Sequence, residues 1–148
     1  PLRLVGSEMC IRDRNDCIFA NATNIAGHVE VDDYVILGGY TGVHQFCKLG
    51  SHIITAVGTV VYKDIPPYII AASNDSRTKP NGINIEGLKR RGFSKESIAA
   101  IKKAYKVIYR NGNSLDEALV KLKELASEAD EINVFIDFIN KSKRGLVR

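Results

Sequence analysis

Apolar residues recur along the first half of this chain with a spacing of six. Counted in sixes from Phe19, the first position of each unit holds Phe19, Ile25, Val31, Leu37, Val43, Leu49, Thr55 and Val61. The fifth holds Thr23, Val29, Val35, Thr41, Cys47, Ile53 and Thr59, compact side chains that are mostly β-branched. The second is small or short in most units: Ala20, Ala26, Asp32, Gly38, Gly50 and Ala56. A period of six matches neither the 3.6 of a helix nor the 2 of a simple strand. It fits a β-solenoid whose short strands turn a corner every six residues, three strands to a coil, with the repeating aliphatic residue inward. The small second residue is expected to let the backbone turn tightly at the corner. Residues 19–66 then supply about two and a half coils.

Asp64-Ile65-Pro66-Pro67 is expected to stop the solenoid, because two prolines remove donors from the ladder. Residues 67–85 read as a loop, irregular from Ala71 to Gly82, where Asn, Asp, Ser and Pro gather. After Asn84 the period becomes helical. Ser94 is placed to cap a helix over Lys95–Arg110 with Ile98, Ile101, Ala104, Tyr105 and Ile108 on one face, and Asn111-Gly112 ends it. Ser114-Leu115-Asp116-Glu117 has capping-box spacing, with Leu115, Leu119, Leu122 and Leu125 following. A third helix is expected from Glu131 to Lys141, with Ile132, Phe135, Ile136 and Ile139 inward. Residues 1–14, PLRLVGSEMCIRDR, show no six-residue phase and resemble translated sequencing-adapter read-through, so they are read as a non-native leader. The expected division is a leader over 1–14, a solenoid over 15–66, a loop over 67–85 and a helical domain over 86–148.

Composition adds limits to this picture. No apolar run approaches the roughly 20 residues that span a bilayer, and no secretory or lipidation signal is visible, so the cytoplasm is the expected compartment. The three cysteines, Cys10, Cys17 and Cys47, form no C-x-x-C pair and suit neither a disulfide framework nor a structural zinc site. The net charge of +4 is modest, but basic residues gather after Glu86 in Lys89, Arg90, Arg91, Lys95, Lys102, Lys103, Lys106 and Arg110. Such a cluster suits an acidic protein, a phosphorylated ligand or nucleic acid, or is the solvated face of helices. Nucleic acid is disfavoured, because no aromatic platform accompanies the charge.

Several runs carry more specific information: Asn21 to Glu30 (NATNIAGHVE), Gly38-Gly39, Val43 to Cys47 (VHQFC), Asp64 to Tyr68 (DIPPY), Asn84 to Phe93 (NIEGLKRRGF) and Arg144 to Arg148 (RGLVR). Together they resemble the acyl-carrier-protein–UDP-N-acetylglucosamine O-acyltransferase family, whose members begin lipid A synthesis. The resemblance implies a left-handed parallel β-helix with a small C-terminal helical domain, a homotrimer, no cofactor and no metal. It implies transfer of a 3-hydroxyacyl group from acyl carrier protein to the sugar 3-hydroxyl of UDP-N-acetylglucosamine. On that pattern Gly27 would offer its N–H near the thioester carbonyl and His28 would contact substrate beside it. His44 and Gln45 would line the same inter-subunit cleft, and Asn84, Glu86, Arg90 and Arg91 would hold the nucleotide. Arginine suits phosphate because its planar fork stays charged and bonds bidentately. Val57 would stand where a small residue commonly sets the depth of the acyl slot.

One part of the pattern has no match. The family's general-base histidine would fall about one coil before His28, and residues 1–14 contain no histidine. The chain as it stands is therefore expected to hold part of a substrate and to catalyse little. His52 shares the fourth slot of its unit with His28 but lies four units on, which places the two at different corners and argues against a zinc site within one chain. The alternatives are another hexapeptide-repeat acyltransferase, which would lack NIEGLKRRGF, and a non-catalytic trimerising solenoid.

Overall fold

The computed structural model of the chain describes residues 12–13, 15–74 and 77–148. The solenoid is built from strands of two residues each: β1 (Arg12–Asp13), β2 (Ile18–Phe19), β3 (Asn24–Ile25), β4 (Glu30–Val31), β5 (Ile36–Leu37), β6 (Gly42–Val43), β7 (Lys48–Leu49), β8 (Ile54–Thr55) and β9 (Val60–Val61). They stack in parallel as three faces. The first carries β1, β4 and β7, the second β2, β5 and β8, the third β3, β6 and β9. Ile18 pairs with Ile36 and Ile36 with Ile54, the register of three six-residue units per coil. The first and fifth slots form the interior: Val31, Leu37, Leu49 and Val61 are buried, as are Val29, Val35, Thr41, Cys47, Ile53 and Thr59.

The corners are made differently from the sequence expectation. The residue that turns the chain is the fourth of each unit, held at positive φ: Ala22 (58°), His28 (58°), Tyr34 (60°), Tyr40 (59°), Phe46 (65°), His52 (61°) and Gly58 (72°). The second slot is small for another reason, close approach of backbone. A Cβ on Gly38 would stand 2.6 Å from the Thr55 carbonyl oxygen, and one on Gly50 would stand 2.4 Å from the Pro67 nitrogen. Gly38 and Gly50 thus admit the neighbouring coil rather than turn the corner.

Three further boundaries shift. Arg12–Asp13 pairs in register with Glu30–Val31, so the solenoid has three coils of strands and its phase reaches into the expected leader. Residues 1–11 and 14, on which the rest of that expectation falls, lie outside the described residues. The prolines do not end the stack: after them β10 (Ile69–Asn74) lays one more parallel rung on β8 through Ile70 and Ala71. The expected irregular loop is an antiparallel hairpin of β10 with β11 (Arg77–Ile83). Pro80 is tolerated because β11 is the outer strand of its sheet. The register shifts between Ile69 and Ala71, and opposite it Gly82 takes φ 82°.

The helices follow their capping signals. Asn84 caps α1 (Ile85–Arg90), Ser94 caps α2 (Lys95–Tyr109), and Ser114 with Glu117 forms the capping box of α3 (Leu115–Leu125). The last helix, α4, spans Asp130–Lys141. The last three pack together through buried Ile101, Ala104, Ile108, Leu122, Ile132, Phe135 and Ile139. Tyr68 meets Phe135 edge-on at 5.3 Å, joining this core to the end of the solenoid. Buried Asp64 makes a second junction: its carboxylate accepts from the Lys48 N–H at 2.8 Å and from the Ser142 hydroxyl at 2.5 Å. Its backbone bridges to Leu146.

Candidate functional site

Three faces give three edges, and the candidate residues are distributed over all of them. Gly27, His28, His44 and Gln45 lie at the edge between the third and first faces. His28 stacks on Phe46 of the next coil with ring centroids 4.8 Å apart and planes 2° from parallel. His44 faces Tyr62 at 5.6 Å, and His44, Gln45 and Phe46 are solvent-exposed. The rings align because residues 18 apart occupy the same corner of successive coils, a consequence of the register. Among the described residues the N–H of Gly27 has no hydrogen-bond partner, as holds for the third slot of the other units, Asn21, Asp33, Gly39, Gln45, Ser51 and Val57. A free N–H beside an exposed imidazole is the pair of groups that can donate to a developing oxyanion.

Val57 lies at the next edge, between the second and third faces. It is 75% exposed beside Gly58, and Tyr40 of the preceding coil is 71% exposed at the same edge. Val60 on the third face and Tyr62 at its far edge are exposed as well, although the hairpin reaches β9, where the Val60 N–H donates to the Ser73 Oγ at 2.9 Å.

Asn84, Glu86, Arg90 and Arg91 belong to the remaining edge, between the first and second faces, where α1 meets the solenoid. Their situations differ. Asn84 is buried: its Nδ2 donates to the His52 carbonyl at 2.9 Å, and its Oδ1 accepts from the Gly87 N–H at 3.1 Å. Glu86 and Arg90 are exposed, and Glu86 lies 4.0 Å from Lys89. Arg91 is half-buried, its Nη1 is 3.3 Å from the His52 Nδ1, and its guanidinium lies 4.9 Å from the Tyr34 ring centroid.

His52 is the residue that sequence reasoning used only to weigh a metal site. Its ring is stacked between Tyr34 at 4.9 Å and Tyr68 at 5.7 Å, with Phe93 edge-on at 5.0 Å. Burial first, then the Arg91 guanidinium, pulls the imidazole down to about 4, against the opposing pull of Asp33. The readable signal is an aromatic ring in the fourth slot of successive coils, Tyr34 then His52. His28 and His44 share one edge and His52 sits at another, as the six-residue count anticipates. Among the described residues no group of His, Cys, Asp or Glu is arranged to hold a metal ion.

On α2, Lys102, Lys106 and Arg110 recur every four residues and so form one stripe. They rim a cavity of about 290 Å³ whose floor includes Ile83, Ile85 and Tyr105. No helix among the described residues is long and apolar enough to cross a membrane.

Known proteins share this arrangement. The profile of the family described as UDP N-acetylglucosamine O-acyltransferase, domain 2, matches residues 64–147. The acyl-[acyl-carrier-protein]–UDP-N-acetylglucosamine O-acyltransferase of Thiobacillus denitrificans is 48% identical over 144 residues, 97% of this chain and 54% of the relative. The same enzyme of Ectopseudomonas mendocina is 48% identical over 134 residues, 90% of this chain and 51% of the relative. The chain thus spans about half the length of the curated relatives it matches. Among solved structures, the Francisella novicida UDP-N-acetylglucosamine acyltransferase superposes with a TM-score of 0.86 at 45% identity, over 89% of this chain and 48% of that one. The Arabidopsis enzyme gives 0.85 at 33% identity, over 93% of this chain and 51% of that one.

Proposed function

The chain belongs to the UDP-N-acetylglucosamine O-acyltransferase family, and on that footing we propose that it forms the substrate-holding part of such an enzyme. The reaction moves a 3-hydroxyacyl group from the thioester of acyl carrier protein to the 3-hydroxyl of UDP-N-acetylglucosamine, the first step of lipid A synthesis, in the cytoplasm. The observation that carries this reading is the division of the candidate residues between edges. Two histidines and the Gly27 N–H, without a partner among the described residues, stand at one edge, and the arginines at the end of α1 stand at another.

One copy cannot bring those edges together, because they lie on different sides of a rigid prism. A second copy set against the third face, where Val57, Val60 and Tyr62 are exposed, can. The homotrimer supplies that arrangement, with each site between neighbours and the exposed Tyr40, Val57, Val60 and Tyr62 at its contacts. Within such a cleft Arg90 and Arg91 meet the diphosphate, Glu86 holds the nucleoside portion, and Asn84 sets the start of α1 beneath them. Gly27 donates to the thioester oxyanion, and His28, His44 and Gln45 contact the sugar and acyl groups. No cofactor enters these steps. The general base is a histidine that the family pattern places about one coil before His28. Residues 1–14 contain none, so binding without appreciable turnover is expected of the chain by itself. The Lys102–Lys106–Arg110 stripe is the docking surface for the acidic carrier protein, by charge complementarity.

Titration calorimetry of the 148-residue chain with UDP-N-acetylglucosamine, alongside sedimentation, tests the reading. A trimer that binds the nucleotide sugar, with binding weakened about tenfold or more by Arg90→Ala, supports it. A trimer that binds nothing would leave a scaffold module as the better account.

A further inference from the structure

Arg90 and Arg91 are adjacent in sequence but unequal in the structure. Arg90 is solvent-exposed, whereas Arg91 is half-buried against the solenoid edge, touching His52 and the face of Tyr34. A guanidinium has donors and no acceptor, so the 3.3 Å contact requires the His52 Nδ1 to be the acceptor. The imidazole is then neutral and carries its proton on Nε2. Its low pKa of about 4 agrees with that state. The ring is fixed on both faces by Tyr34 and Tyr68 and on one edge by Phe93, and its own carbonyl is held by Asn84.

We propose that His52 is a positioning residue for the nucleotide diphosphate, holding the Arg91 guanidinium in place through a neutral acceptor while Arg90 remains solvent-facing. This rests on the nucleotide-sugar reading of the site above. The chemistry explains why an imidazole stands there. A free arginine side chain surrenders rotamer entropy when it is fixed on a ligand. Clamping it beforehand between a ring face and an acceptor removes that cost from the binding step. A carboxylate in place of His52 would clamp the guanidinium equally well, but it would form an ion pair and compete with phosphate for the charge. The neutral imidazole holds one donor and leaves the positive charge and the other donors available. Among the described residues Arg91 has no carboxylate within ion-pair distance.

A purely cementing role and a positioning role separate with two substitutions at the same backbone. Phenylalanine already occupies this slot at positive φ in Phe46, so His52→Phe keeps the ring stack and deletes the acceptor. His52→Asn keeps an acceptor close to the Nδ1 position, tolerates positive φ, and loses most of the stack. For the 148-residue chain, His52→Phe is expected to weaken UDP-N-acetylglucosamine binding about tenfold with a melting temperature near that of the parent. His52→Asn is expected to melt lower yet bind within about threefold of the parent. Nuclear magnetic resonance of the ligand-free chain supplies an independent reading. The parent should show His52 as the Nε2–H tautomer and a distinct, slowly exchanging Arg91 side-chain signal, which Asn preserves and Phe abolishes. Phe binding as tightly as the parent, or an Arg91 signal unchanged in Phe, overturns the proposal. Failure of the parent to bind nucleotide sugar would instead count against the functional reading, with the resonance experiment still deciding whether His52 fixes Arg91.

Discussion

Asn84 fastens the first helix to the solenoid by donating from Nδ2 to the carbonyl of His52 at 2.9 Å while its Oδ1 caps Gly87. One side chain thereby satisfies a carbonyl at a corner and an N–H at a helix start, both beside the candidate nucleotide residues. Asn84→Ala removes both bonds within a buried position, and a loss of about 2–3 kcal/mol in urea unfolding is expected. Asn84→Asp keeps the cap and loses the donor, so its stability should fall between the two. An Asn84→Ala protein as stable as the parent would show that α1 is held by its apolar contacts alone.

Gly50 and Gly42 make opposite predictions although both lie in the repeat. A methyl on Gly50 would stand 2.4 Å from the Pro67 nitrogen and 2.8 Å from the Pro66 carbonyl carbon, both backbone atoms that cannot turn aside. Gly50→Ala is therefore expected to cost about 2 kcal/mol or more. A methyl on Gly42 meets nothing within 4 Å, and its φ is not left-handed. Within one copy Gly42→Ala should be neutral or stabilise by up to about 1 kcal/mol through the unfolded chain, and a larger loss would report burial of the third face against another copy. Thermal melting of the two variants side by side decides the matter, and a Gly50→Ala protein as stable as the parent would contradict the close-approach account.

The pH dependence of stability should carry the signature of His52. Folded, its imidazole stays neutral down to about 4, whereas the ordinary value is 6.5. Between those values the unfolded chain binds a proton that the folded chain refuses. Stability from this residue is therefore complete above pH 6.5 and is lost as pH falls toward 4. The His52→Phe protein lacks the titrating group, so its urea midpoint should decline less over that interval. Parallel curves for the two proteins would mean that another group governs the acid limb.

Cys47 contributes to the alkaline limb, alongside Tyr68 and Tyr109, whose phenols burial also pushes up. Burial pushes its thiol up to about 11, with Asp64 adding to the rise and Arg144 opposing it. The unfolded thiol ionises near 9.0, so stability from this group is complete below that value and is lost as pH rises toward 11. At pH 8 the native thiol should resist alkylation and become reactive only on unfolding. Rapid labelling of Cys47 in the native protein, read by peptide mass analysis, would contradict its placement in the core.

Much of this fold is legible in the period of six, because a slot that recurs at every strand can be assigned from composition alone. From Ile25 onward the first and fifth slots are buried as the pattern requires. Their neighbours are less readable. Small residues in the second slot mark crowding, but composition does not separate crowding from turning, and the turns fall on His28, Tyr34, Tyr40, Phe46 and His52, residues not ordinarily expected at positive φ. The hairpin is hidden by Pro80 and Gly82, which are turn formers in isolation and edge-strand and bulge residues here. The site shows the same division. Each candidate residue can be named from a local motif, but the edge it occupies follows from the three-unit coil. The His52–Arg91 contact spans 39 residues and has no local signal.

Val57 offers a test of acyl-chain selection. It is three-quarters exposed at the edge between the second and third faces, beside Gly58 and the coil carrying Tyr40. If a neighbouring copy closes over that edge, the isopropyl group occupies space that an acyl chain would otherwise enter. Removing it lengthens an apolar slot by roughly two methylenes, and each methylene discriminated in such a slot is worth about 1–3 kcal/mol. Transfer can be assayed by fusing this chain in register to the preceding residues of the Thiobacillus denitrificans relative. In that fusion Val57→Gly is expected to shift the ratio of kcat/KM toward longer 3-hydroxyacyl donors by about tenfold or more. Val57→Ala should shift it less, which separates lost volume from the added flexibility of two consecutive glycines. An unchanged ratio in both variants would place the end of the slot at another residue.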